Sequence, residues 1–135
     1  MAPLFADTAY HVALLLVRDS LRDTALRLKN ELKGRTVFTH DGVLTEVLAH
    51  VSRLGSKTRA EAVALVQNLR LDPDVVVLPM TRDVFDAGVE LYGRRLDKGY
   101  SLIDCISMTI CADLGVREVI THDKHFQQEG LAILL

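Results

Sequence analysis

Val75-Val76-Val77-Leu78, stopped by Pro79, has few roles open to it other than a short strand buried on both faces. Similar runs occur at Leu4-Phe5-Ala6, at 36–39 (Thr-Val-Phe-Thr), at 119–121 (Val-Ile-Thr) and at 132–135. Between them lie stretches with helical periodicity: 10–18, 21–33 closed by Gly34, 41–54 closed by Gly55, 57–69, 82–97, and 102–114 closed by Gly115. In 41–54 the apolar stripe is Val43, Leu44, Val47, Leu48, Val51 and Leu54. Asp72-Pro73-Asp74 reads as a turn. Strands separated by helices predict an α/β sandwich with a mostly parallel central sheet. The 135 residues suit one domain with a real core, and no repeat or low-complexity linker divides them.

Composition narrows the function classes. Hydrophobic residues make up 49% and charged residues 25%, as in globular proteins. The net charge of −2 argues against gripping nucleic acid by bulk charge alone. It leaves room for a nuclease whose acids are offset by bound metal ions. Cys105 and Cys111 would point in different directions on one helix, so they read as unpaired residues of a reducing compartment. The apolar stretch 12–17 is short and lacks a basic leader, and no segment is long enough for a spanning helix. The expectation is a cytoplasmic protein away from membranes.

Four acids stand out by position. Asp7 directly follows the run Leu4–Ala6, and Asp123 follows 119–121. In open α/β sheets ligand sites lie beyond the carboxyl ends of strands, so parallel strands would deliver both carboxylates to one edge. Each also has an ordinary role available, Asp7 as a helix N-cap and Asp123 as a cap of the turn 124–126. Asp104 sits in the apolar segment Leu102-Ile103-Asp104-Cys105-Ile106, on the side of Met108 and Cys111. An ionised carboxylate there needs a partner or a metal. Ser101-Leu102-Ile103-Asp104 is also a relaxed capping box, and the two roles are compatible. Glu46 lies beside its helix stripe and by pattern alone is a surface glutamate. Four converging carboxylates would suit the hard cations Mg²⁺ or Mn²⁺.

Other signals are weaker. His122-x-x-His125 permits zinc, but no Cys-x-x-Cys or His-Glu-x-x-His pattern supports it. His50, one turn from Glu46, would orient it or simply pair with it at the surface. Arg94, Arg95 and Lys98, and separately Lys124 and His125, would steady phosphates or lie on solvated faces. No Gly-rich phosphate loop or serine nucleophile elbow occurs, and aromatics at 5% are too few for a base-stacking platform. A phosphotransfer domain would want an acid after Val75–Leu78, where Pro79 and Met80 stand. A haloacid-type phosphatase would want one at Ala9.

Phe5-Ala6-Asp7-Thr8 resembles the first acidic motif of PIN domains, and Leu44-Thr45-Glu46-Val47-Leu48 resembles the second. Ser101-Leu102-Ile103-Asp104-Cys105-Ile106-Ser107 resembles the third, and Thr121-His122-Asp123-Lys124-His125-Phe126, followed by Gly130, the fourth. The likeness runs over nearly the whole chain. It implies one PIN-like α/β/α domain over 1–135, metal-dependent cleavage of RNA, and metal-binding or catalytic roles for Asp7, Glu46, Asp104 and Asp123. Thr8 and Ser101 would assist by hydrogen bonding. The small form is most similar to VapC-type toxins, which implies a homodimer and a small antitoxin partner. The competing expectation is an inert PIN-like scaffold.

Overall fold

The computed structural model describes residues 1–135. Its order is β1 (Leu4–Ala6), α1 (Thr8–Leu15), α2 (Arg22–Glu31), β2 (Val37–His40), α3 (Asp41–His50), α4 (Ser56–Leu71), β3 (Val75–Leu78), α5 (Arg82–Arg94), α6 (Leu102–Leu114), β4 (Glu118–Ile120), α7 (His125–Gln128) and β5 (Ala132–Ile133). The five strands form one sheet in the order β3-β2-β1-β4-β5. Every pairing is parallel, so the sheet is wholly rather than mostly parallel. This is the expected α/β/α sandwich. No helix is long and apolar enough to cross a membrane.

Alternation along the strands feeds two cores. Phe5 and Val119 join the cluster of Val43, Leu91, Ile106, Met108 and Phe126 on one face. Leu4, Ala6 and Ile120 join Tyr10, Ala13 and Ala25 on the other. The central strand β1 is covered on both faces, but β3 is not the doubly buried strand that its sequence suggested: it lies at the sheet edge, none of its four residues is buried, and Val76 is 38% exposed. Cys105 and Cys111 are buried and unpaired, as expected.

The ends of elements differ from the periodic reading. α1 starts at Thr8 and stops at Leu15, because Leu16 is already extended at φ −94° and ψ 117°. α3 stops at His50, so Leu54 falls outside it and is 52% exposed, while Leu48 is 37% exposed. The buried stripe is therefore shorter than expected. Residues 125–128, read as part of a turn, form the one-turn helix α7.

α5 and α6 pack closely because Gly88 lies against Ile106. A β-carbon at Gly88 would overlap the Ile106 side chain and sit 3.2 Å from its Cα and N. Elsewhere in a helix, Gly→Ala adds up to about 1 kcal/mol of stability. Here Gly88→Ala is expected to cost about 2 kcal/mol by overpacking, a fall of roughly 7 °C in thermal melts. A variant as stable as wild type would refute that close packing.

Candidate active site

The sheet order reverses beside β1: β2 and β3 run off one side of it, β4 and β5 off the other. A crevice opens at such a switch point, beyond the carboxyl ends of the two strands. Ala6 pairs with Ile120, so the next residues, Asp7 and Thr121, emerge side by side. The Asp7 N–H donates to Ile120 O at 3.2 Å, and the Thr121 hydroxyl donates to Asp7 Oδ2 at 2.8 Å. Asp7 stands at the N-cap of α1, yet its side chain makes no capping hydrogen bond.

The other acids reach the same crevice from different elements. Glu46 projects from α3, and the Thr8 hydroxyl donates to its Oε1 at 2.6 Å. Asp104 comes from the first turn of α6. There the capping box is complete: Asp104 N donates to Ser101 Oγ at 3.0 Å, and Ser101 N donates to Asp104 Oδ2 at 2.9 Å. Asp123 follows β4, and its Oδ1 accepts the His125 N–H at 2.9 Å. The local roles weighed for Asp104 and Asp123 are thus real, and they aim the carboxylates rather than use them up.

Together these residues line an open cleft of about 410 Å³. The structure brings all four predicted acids into it, with Thr8 in the wall and Ser101 beneath Asp104. It places His50, weighed above beside Glu46, in the lining and adds Thr121 and Asp19, and no lysine or arginine lines it. Thr121 was invisible in sequence because its contact spans 114 residues. Asp19 lies between α1 and α2 with no pattern to mark it.

The basic cluster goes elsewhere. Arg94 pairs with Glu90 and Arg95 with Glu129, and both line a separate hollow with Met108 and Leu131. His122 is exposed with Nδ1 3.3 Å from Leu135 O, so the His122–His125 pair does not form.

Electrostatics follow from burial. Asp7 is 6% exposed. Burial pushes its carboxyl up to about 6, against the Thr8 N–H and the Thr121 hydroxyl, and the Asp104 and Glu46 charges push the same way. Asp104 is also raised, first by burial, with Asp123 and Glu46 adding to the effect and the Ser101 hydrogen bonds opposing it. Carboxylates drawn together without a lysine or arginine among them call for a cation. An all-oxygen set from Asp and Glu fits a hard divalent ion.

The PIN domain family model matches residues 4–130 of the chain. A search of the curated proteins finds no match. Among solved structures, the chain is similar to Mycobacterium tuberculosis VapC20, described as a Sarcin-Ricin loop cleaving toxin. The TM-score is 0.84 and the identity 27%, over 96% of each chain. FitAcB from Neisseria gonorrhoeae matches at TM-score 0.69 and 16% identity, over 98% of this chain and 96% of that one. VapBC2 from Rickettsia felis, bound to a DNA fragment from its promoter, matches at TM-score 0.68 and 16% identity, over 97% and 96%. These last two share the fold. A match over nearly the whole length, carried by the same elements that draw the acids together, makes this chain a member of the PIN domain family.

Proposed function

We propose that this protein is a metal-dependent endoribonuclease that hydrolyses RNA phosphodiester bonds at the acid-lined cleft. One observation carries the reading: Asp7, Glu46, Asp104 and Asp123 arrive from four separate elements in a cleft that no lysine or arginine lines. These four would hold Mg²⁺ or Mn²⁺, which when bound supplies an activated water and offsets charge on the phosphate. The chain's own work is positioning. The Thr121 hydroxyl fixes Asp7, the Thr8 hydroxyl fixes Glu46, and the Ser101 backbone fixes Asp104. Held this way, the carboxylates stay on the walls of one cleft and need little rearrangement when charge develops on the phosphate.

The likeness to VapC20, described as a Sarcin-Ricin loop cleaving toxin, favours a structured RNA loop as substrate and the role of a toxin. The resemblance of the acidic motifs to VapC-type toxins adds a small antitoxin partner, a homodimer and a cytoplasmic setting. A pool of hairpin RNAs tests the activity, incubated with Mg²⁺, Mn²⁺ or EDTA. Cleavage is expected only with metal, and Asp104→Asn is expected to slow it at least about 100-fold, the loss of some 3 kcal/mol of transition-state stabilisation. Cleavage that survives EDTA, or that the variant retains in full, would overturn the proposal. An inert scaffold would cut nothing and bind no metal.

A further inference from the structure

His125 has no part in the reading above, yet it faces the same acids. It opens α7, two residues beyond Asp123. Its Nδ1 lies 3.2 Å from Asp123 Oδ1 and 4.0 Å from Asp104 Oδ2. That nitrogen is shut off from solvent and makes no hydrogen bond, so the 3.2 Å approach lacks hydrogen-bond geometry. One ligand atom from each of Asp104, Asp123 and His125 falls within 4.8 Å of the other two.

The ring is held in that pose. The Tyr100 ring packs at 5.3 Å between centroids, tilted by 59°. The Nε2 edge faces Gly99, where a β-carbon would come within 3.5 Å. The next residue, Phe126, is fully buried. Ionised carboxylates only accept hydrogen bonds, and the unprotonated nitrogen of a neutral imidazole carries a lone pair. Three lone-pair atoms this close repel unless a proton or a cation lies between them, and the absence of a hydrogen bond at Nδ1 favours the cation.

We infer that His125, through Nδ1, is a ligand of a divalent ion that Asp104 and Asp123 share, so that part of the site is nitrogen–oxygen rather than all-oxygen. The inference rests on the cleft being a metal site. Its consequence is selectivity. Imidazole suits transition metals, whereas Mg²⁺ prefers oxygen, so His125 tilts the site toward Mn²⁺.

Mn²⁺ itself is the probe. Pulsed electron paramagnetic resonance of Mn²⁺-loaded protein is expected to show a directly bonded histidine nitrogen, and the signal is expected to change when histidine is labelled with ¹⁵N. The signal should vanish in His125→Gln and persist in His50→Gln, the histidine that lines the cleft beside Glu46. In calorimetry, His125→Gln is expected to weaken Mn²⁺ binding by about 10- to 100-fold and Mg²⁺ binding by less than about 3-fold. Bound Mn²⁺ with no nitrogen signal in wild type would overturn the inference and leave the carboxylate site standing. The same holds for a signal that persists in a folded His125→Gln. Failure of wild type to bind Mn²⁺ saturably would overturn both. The wild-type spectrum decides even if the variant folds poorly.

Discussion

Asp7→Asn is expected to abolish RNA cleavage and, at the same time, to make the metal-free protein more stable. Both effects come from one buried charge. Asp7 is 6% exposed, and burial raises its carboxyl to about 6 from the ordinary 3.8. An acid whose folded value is raised weakens the fold above its unfolded value. The penalty grows as pH climbs from about 4 and is fully present above about 6. From that shift, ionised Asp7 costs the metal-free fold on the order of 3 kcal/mol at pH 7.5. Asparagine keeps the shape, and its carbonyl can still accept from Thr121, while the charge goes. The variant should melt roughly 10 °C higher in EDTA for a chain of this size. Cleavage should fall by at least about 1000-fold if the metal is lost or misplaced. Added Mn²⁺ should raise the wild-type melting temperature and leave the variant's nearly unmoved, since a ligand of the native state stabilises it by mass action. A variant that melts lower in EDTA, or still cleaves at the wild-type rate, would show that Asp7 is not the strained acid described. Stability given up for function is the expected signature of a working site.

The sheet was legible because its strands are short apolar runs between helical stretches. Leu4–Ala6 is fully buried, whereas Val75–Leu78 is just as apolar but lies at the sheet edge with Val76 38% exposed, so apolar character marked the strand without fixing its burial. α7 was not legible, since four residues are too few to show a helical period. Asp7 and Asp123 could be placed from position alone, because an acid just beyond a strand end is a feature of the local sequence. Asp104 came from the conflict between its charge and the apolar residues around it. Glu46 needed the family resemblance: it lies at the margin of the α3 stripe, and only the Thr8 hydroxyl, 38 residues away, marks it as inward-facing. The Thr121 contact depends on β1 lying next to β4, and the pose of His125 on Asp104 and Tyr100 reaching it from well back along the chain; no local pattern encodes either. The basic cluster could not be decided from sequence for a related reason. Arg95 looked free in sequence, but in the fold it forms a two-pronged ion pair with Glu129, which also accepts from the Tyr100 hydroxyl.

Mild acid is expected to destabilise the protein by about 3 kcal/mol between pH 7 and pH 4 through three buried groups, two of them histidines. His11 is 1% exposed and His40 fully buried, and burial lowers both to about 4 from 6.5. Asp41 opposes the shift at His40 without reversing it. A base whose folded value is depressed stays neutral in the fold while the unfolded chain takes up protons. The stability is therefore complete above pH 6.5 and drains away as pH falls toward 4, by about 3 kcal/mol for each histidine. Asp7 runs the other way: its penalty lifts as it protonates below about 6, returning between 2 and 3 kcal/mol. The balance is a net loss, and Asp7→Asn, which removes the compensation, should fall more steeply, by about 6 kcal/mol. The two histidines differ in what a proton would break. His40 Nδ1 accepts from Gly42 N at 3.0 Å, so its Nε2 carries the hydrogen and donates to Ser107 Oγ at 2.9 Å. That ring ties α3, which bears Glu46, to α6, which bears Asp104, and protonating it places a cation at the positive end of α3. Neither ring nitrogen of His11 makes a hydrogen bond, so a phenylalanine there sacrifices no contact of that kind. Urea melts of His11→Phe at pH 7.5 and pH 4.5 separate the contributions. The variant should match or exceed wild type at pH 7.5 and lose about 2 to 3 kcal/mol less on acidification. Equal acid losses in the two proteins would mean that His11 takes up its proton without unfolding the chain, and the acid sensitivity would then fall to His40 and the helix junction it holds.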